Sequence, residues 1–532
     1  MKYSMIALAT ALTLVACRHV EEIDFGGSGT SFDAYGDGIP LSYGSFTGVD
    51  ILVVVDNSGS MQDEQEVLAT AFFPLVNALT DPLPGWPHDP IDDMRVAVVS
   101  SDMGLSWGGN AYENGDGWPG DTPAGCGSVG DNGQFETYGS GKTINLQHDT
   151  IPCSEGASQC PTGWECLIPD GDVGSCQAPG GDGTNQLCPG MDSTWAETPD
   201  DDLAFQVACL SALGTNGCGF EQQLQAAAVA LHREDQQEFV RDGALLAVIE
   251  VSDEGDCSIE SNELFAEPEI QNLSDGKVNI ACGNHPGFLY DTSYFTQRFL
   301  TAKNDEPGSV LCAAIVGVPI DDACQGTGDQ IADCLDHPKM ELDVVDENDA
   351  YFFEPACVRW AGDELVTKAR PGRRFVDLAQ KFGPGGYTYS ICNEDWRPAA
   401  EEIATMIVSR LEGSCFPEQL PWDSATQKST CQLFVEYVDT VVCPIPTDED
   451  ATPVFDSFVD ASDTSHTRLH CPLPRLAAPL DCDQVPDGLD GLGWYYCENS
   501  GTDECPHEPR PAPSTLHTIL GRPAAIRCPI DG

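Results

Sequence analysis

Residues Ile51-Leu52-Val53-Val54-Val55 form an unbroken, largely β-branched apolar run that ends on Asp56. A run of this kind suits a strand covered on both faces, so it is read as the centre of a sheet packed between helices. Comparable runs recur at residues 95–100, 244–251, 310–318 and 387–391. Helical spacing fills the intervals: 62–79 carries Phe72, Val76 and Leu79, a second stretch carries Phe220, Leu224, Ala227 and Leu231, and a third Ile403, Ile407 and Leu411. Strands alternating with helices predict an α/β fold, a doubly wound and mostly parallel sheet.

The spacing of the runs is uneven. Segments 105–202, 255–300 and 319–368 hold Gly, Pro and Cys without a sustained period and are read as large surface insertions. In the first, Cys153, Cys160, Cys166, Cys176 and Cys188 crowd around Pro161-Thr162-Gly163-Trp164, too tightly for a separate core, so disulfides are expected to staple it. Residues 415–532 show short apolar pieces among Pro, Asp and Cys, which predicts a small, mostly β, disulfide-linked C-terminal domain. The whole chain has 24 Cys, which points to an oxidising compartment. Its net charge of −62 sets it against phosphate backbones and excludes nucleic acid as a partner.

At the N-terminus Lys2 precedes an apolar stretch, residues 5–16, that is too short to span a bilayer. It closes on Leu14-Val15-Ala16-Cys17, an ending that resembles the lipobox of bacterial lipoproteins. The resemblance implies that residues 1–16 are a removed signal peptide and that Cys17 is lipidated. It also implies an envelope location with membrane contact by the lipid anchor only. Arg18, in place of the Asp that retains such proteins at the inner membrane, points to the outer membrane. Residues 17–46, rich in Gly, Ser and acids, are read as a flexible tether. With Cys17 acylated, 24 − 1 = 23 cysteines remain, an odd number, so at least one thiol lacks an internal partner. Cys312, inside the apolar run 310–318, is the candidate.

Asp56-Asn57-Ser58-Gly59-Ser60 lies between the central strand and the helix at 62–79, at the sheet edge where α/β folds bind ligands. One carboxylate and two hydroxyls at alternate positions offer three oxygens to a small hard cation. By composition alone Asp-x-Ser-x-Ser occurs by chance in roughly one of eight chains this long, so the strand before it and the helix after it supply the specificity. The pattern resembles the metal-ion-dependent adhesion site of the von Willebrand factor type A domain: Asp-x-Ser-x-Ser, a Thr from a second loop, and an Asp after the fourth strand. Asp56, Ser58 and Ser60 match the first element, and Asp253, after the run 244–251, matches the last, with Glu254 where the family has Gly. The middle element departs: this chain reads Gly217-Cys218-Gly219-Phe220-Glu221, so Thr215, Glu221 or a water stands in. The resemblance covers 47–413. It implies a divalent cation, Mg²⁺ first with Ca²⁺ or Mn²⁺ as alternatives that Glu221 favours. It also implies a protein ligand whose acidic side chain completes the coordination.

Two functions follow: a metal-dependent adhesion lipoprotein of the envelope, or a structural, envelope-assembly lipoprotein whose scaffold keeps a vestigial, metal-free site. An enzyme is not expected, since no His-Glu-x-x-His or Gly-x-Ser-x-Gly appears. Gly139-Ser140-Gly141-Lys142-Thr143 lacks the upstream Gly of a P-loop, Glu136 standing there instead. His466 and His470 have ligand-like spacing beside Cys471, but Cys471 is expected in a disulfide. The acidic runs 200–202 and 346–349 read as solvated loops.

Overall fold

The computed structural model describes most of residues 46–411, with wider gaps at 84–89, 112–125, 147–150, 155–158, 178–184 and 268–276. Outside that span it describes 39–41, 422–438, 453–459, 465–477, 494–498, 507–511 and 524–527 among shorter pieces. The expected signal peptide and Cys17 lie outside the described residues.

The apolar runs all become strands of one seven-stranded sheet: β1 (Gly48–Val55), β2 (Met94–Ser100), β3 (Ala196–Glu197), β4 (Ala244–Ser252), β5 (Val310–Val316), β6 (Gly326–Thr327) and β7 (Gly386–Ser390). Their order across the sheet is β3-β2-β1-β4-β5-β7-β6. The inner five are parallel, and the two-residue strands β3 and β6 close the edges antiparallel. Every residue of β1 is buried because helices cover both faces.

The strand residues divide by parity. Ile51, Val53 and Val55 point into one apolar layer with Leu68, Phe72 and Val76 of α1 (Gln62–Thr80), Leu203 and Val207 of α2 (Leu203–Ser211), and, from the far end of the chain, Ile403 and Ile407. Leu52 and Val54 point into the other with Leu224 and Ala227 of α3 (Gln223–Ala230), Phe295 and Phe299 of α4 (Thr292–Ala302), and Phe375 and Leu378 of α5 (Arg373–Phe382). Ile403 and Ile407 belong to α6 (Arg397–Leu411), a helix at the predicted place. Each such side chain fully removed from water contributes about 1.5–3 kcal/mol, which fixes register as well as stability.

Several expectations are corrected. Segment 255–300 is not wholly surface: α4 begins inside it and buries Phe295 and Phe299 against the sheet. Segment 105–202 supplies edge strand β3, and Ile144, Leu146, Ile151 and Trp164 join the α1 layer. Segment 319–368 likewise supplies β6 and buries Ile331 and Met340 in the α5 layer. The helix expected from Phe220 starts at Gln223, and Phe220 packs instead with Leu105, Cys218 and Cys257.

The disulfide expectation holds in the described residues: Cys153–Cys166, Cys160–Cys176 and Cys188–Cys209 staple the first insertion. Cys312 is a free, buried cysteine. Toward the C-terminus, β8 (Gln432–Val438), β9 (Val454–Val459), β10 (Ser465–Pro472) and β11 (Ala524–Arg527) form an antiparallel sheet, and Cys471 is bonded to Cys443. The fifth strand of that sheet is Ile39–Leu41, paired with β11 through Ile39↔Ile526. The tether reading of 17–46 therefore fails for these three residues, which are fixed by ladder hydrogen bonds.

Candidate metal centre

β1 and β4 end side by side, since Val55 is opposite Val251 and the Asp56 N–H donates to the Val251 carbonyl at 2.9 Å. This register brings Asp56 and Asp253 to one edge. Asp56 is fully buried, and its carboxylate is held on both oxygens. Oδ1 accepts from the Ser58 N–H at 2.9 Å and from Ser101 Oγ at 3.4 Å. Oδ2 accepts from Ser252 Oγ at 2.6 Å and from Gln223 Nε2 at 3.4 Å.

Ser58 and Ser60 lie in the turn before α1, whose first N–H groups add a positive partial charge at this edge. Their hydroxyls are 3.1 Å apart, and Ser60 Oγ donates to Asp253 Oδ1 at 3.0 Å. Three of the five expected ligands are thus linked hydroxyl to hydroxyl to carboxylate. Asp56 stands behind them, bonded to the Ser58 backbone.

The second loop is pressed onto the first. The Gly217 N–H donates to the Asn57 carbonyl at 2.8 Å, and a Cβ at Gly217 would fall 2.0 Å from Asn57 Oδ1, so a larger residue would have to push the Asn57 amide aside. Gln65 of α1 clamps the same loop through both amide atoms, Nε2 to the Gly214 carbonyl at 2.7 Å and Oε1 from the Gly214 N–H at 2.8 Å. Of the candidates to replace the missing Thr, Glu221 is the one whose carboxyl lies in the field of Asp56 and Glu254. The Glu221 carbonyl accepts from the Cys257 N–H at 2.9 Å, and the Asp253 carbonyl from the Arg370 N–H at 2.8 Å, so both loops are fixed by backbone bonds.

The electrostatics are those of crowded acids. Burial pushes the Asp253 and Glu221 carboxyls well above the usual carboxylate range. The negative charges of Glu254 and Asp56 add to both shifts. Burial also raises Asp56, against the hydrogen bonds from Ser252 and Ser58. Glu254 is pushed up to about 7, chiefly by burial, although Arg370 pulls it down. A cation among these groups reverses that penalty and displaces protons.

The donors are all oxygen, which suits a hard divalent cation and not a thiolate metal. Among the described residues no three carboxylates bring oxygens within 4.8 Å of one another. The convergence therefore depends on the serine hydroxyls between the acids. The one donor cluster that does meet that distance is Cys153, Cys160 and Cys176, whose sulfurs are consumed by the disulfides Cys153–Cys166 and Cys160–Cys176. Sequence reasoning missed Ser252, Ser101 and Gln223 as partners of Asp56. Ser252 carried a signal, its place between the strand and Asp253, and the buried Gln223 carried none.

No family model matches the chain, and no curated protein matches it. Among solved structures, the pilus adhesin RrgA from Streptococcus pneumoniae aligns at 9% identity and a TM-score of 0.24, over 93% of this chain and 63% of the adhesin. A human COPII-coat protein aligns at 7% identity and a TM-score of 0.26, over 95% of this chain and 48% of its own. An adhesive tip pilin from Group B Streptococcus agalactiae aligns at 10% identity and a TM-score of 0.23, over 95% and 91%. The chain spans less than two thirds of the first two proteins, and likenesses at these scores carry no argument. Among the described residues no helix is long and apolar enough to cross a membrane.

Proposed function

We propose that the protein is a lipid-anchored envelope protein that binds a protein partner through a divalent cation held at the edge of a type A-like sheet. The cation is held by Asp56, Ser58 and Ser60, with Asp253 acting through Ser60 or a water. It supplies an electrophilic position that an oxygen of the partner completes. The observation that carries the reading is the convergence of Ser58, Ser60 and Asp253 on the edge where Asp56 ends the central strand. Support for the type A reading comes from the strand order β2-β1-β4-β5-β7 with helices on both faces. Envelope attachment rests on the Leu14-Val15-Ala16-Cys17 ending, and Cys17→Ser is expected to abolish acylation, read as a loss of lipid mass.

One observation favours the scaffold reading: among the described residues no three carboxylates bring their oxygens within 4.8 Å of one another. Thermal melts of the metal-stripped chain with and without excess divalent ion separate the two. A raised melting temperature that disappears in Asp56→Ala supports cation-dependent binding. Melts indifferent to every divalent ion, with Asp56→Ala identical to wild type, leave only the scaffold.

A further inference from the structure

The second loop is tied to the candidate metal centre mainly through its backbone. Gly214 and Gly217 are bonded to Gln65 and Asn57. Further along, the Cys218 N–H donates to Asp102 Oδ2 at 3.2 Å, and the Gln222 N–H donates to the Ser101 carbonyl at 3.2 Å. Ser101 in turn donates its hydroxyl to Asp56 Oδ1 at 3.4 Å. The loop therefore bears on Asn57 and Ser101, and through Ser101 on Asp56. Its sequence works against order. Gly214, Gly217 and Gly219 lose more conformational freedom on fixing than other residues do, and Gly214, Asn216 and Gly219 are exposed.

What holds the loop is a small cluster separate from the two main layers. Cys218 and Phe220 are buried there with Leu105, Cys257 and Ile259. Two disulfides run through it, Cys126–Cys218 and Cys257–Cys282, and the Cys257 N–H is the donor to the Glu221 carbonyl at 2.9 Å. A core of this size is too small to order a glycine-rich loop unaided, and disulfides supply what the missing apolar area does not. The two partners of the first disulfide differ in access: Cys218 is fully buried, and Cys126 is half-buried.

Resting on the metal-site reading above, we infer that the Cys126–Cys218 disulfide is a redox gate on cation binding. Oxidised, it keeps the second loop on the Asn57 and Ser101 backbones, and the Asp56 edge is set for the cation. Reduction is a thiol–disulfide exchange with a dithiol. One thiolate attacks the half-buried Cys126 sulfur, the S–S bond breaks, and Cys218 departs as a thiolate. The second thiol then displaces Cys126, so two electrons pass to the pair, each cysteine takes up a proton given up by the dithiol, and the reductant becomes a disulfide. The freed loop is docked for only a fraction of the time, and the apparent affinity falls by that fraction. Such a gate keeps the site empty where thiols are reduced and allows loading once the chain is in an oxidising compartment.

The test is calorimetric titration of the metal-stripped full chain with Mg²⁺ and with Ca²⁺. Wild type is compared with two double variants: Cys126→Ala with Cys218→Ala at the loop, and Cys443→Ala with Cys471→Ala as a control remote from the loop. The loop variant is expected to keep its circular dichroism and to lose at least roughly tenfold in affinity, while the control keeps the wild-type affinity. A folded loop variant that binds as tightly as wild type, or a control that weakens as much, overturns the gate and leaves the metal site standing. A folded wild type that binds neither ion overturns both. Should the loop variant not fold, hydrogen exchange of wild type with and without a dithiol decides. The Gly217, Cys218 and Gln222 amides are expected to lose protection while β1 keeps it. Unchanged protection in the loop, or equal loss in β1, overturns the gate.

Discussion

Ser60 Oγ donates to Asp253 Oδ1 at 3.0 Å across 193 residues of sequence. The bond joins the turn after β1 to the turn after β4, and it would give Asp253 a route to the proposed cation that does not require direct ligation. Asp253→Asn keeps the shape and removes the charge, so it is expected to leave the fold intact and weaken the metal by about 10–100-fold, the range for groups that act through a ligand. Asp56→Ala is expected to abolish binding altogether. Without metal, Asp253→Asn is expected to melt higher than wild type, because one of several crowded carboxyls has been neutralised. Calorimetry and apo melting curves check both.

At the opposite end of the same strand, Asp50 is fully buried and meets Arg241 at 2.7 Å. Burial raises the Asp50 carboxyl while Arg241 pulls it down. Arg241→Ala strands that carboxylate in the core and is expected to cost about 3–5 kcal/mol in denaturant unfolding. Metal affinity of the folded fraction is expected to stay at the wild-type value, since Arg241 lies away from the C-terminal edge.

Acid titration carries a sign worth measuring. Glu136 is pushed from its ordinary 4.5 to about 7, chiefly by burial and then by Asp131. Glu254 is likewise raised to about 7, chiefly by burial. A raised acid holds its proton longer in the folded state, so the unfolded state binds fewer protons between about 4.5 and 7 and stability falls as pH rises through that window. Below it the contribution is fully present. Apo melting temperature is expected to decline from pH 4.5 to 7.5, and Glu136→Gln is expected to flatten part of the slope.

Cys312 lies inside β5 with its thiol pushed well above the usual range by burial and by the neighbouring Glu250. It is expected to resist alkylation in the native protein and to react once the chain is unfolded. Cys312→Ser puts a hydroxyl into an apolar layer and is expected to cost about 1–3 kcal/mol.

What the sequence disclosed depended on how local the signal was. β1, β4 and β5 are continuous apolar runs, and continuity alone identifies strands buried on both faces. α4 escaped because only Thr292, Phe295 and Phe299 of its eleven residues are buried, so two aromatics one turn apart carry its attachment. Ile39–Leu41 escaped because its partner strand is near residue 526, and a three-residue strand containing Pro40 has no pattern of its own. At the site, Asp56, Ser58, Ser60 and Asp253 were legible because their spacing follows from strand ends. The close approach of the second loop was not, since the Gly217 contact with Asn57 is a packing detail with no spacing rule.

Anomalous scattering from crystals of the full chain soaked in Mn²⁺ tests most directly for a cation among Asp56, Ser58 and Ser60. One anomalous peak is expected within bonding distance of the Asp56 carboxylate and the Ser58 and Ser60 hydroxyls, absent from Asp56→Ala crystals treated alike. A well-ordered edge with no peak there, or one that persists in Asp56→Ala, contradicts it.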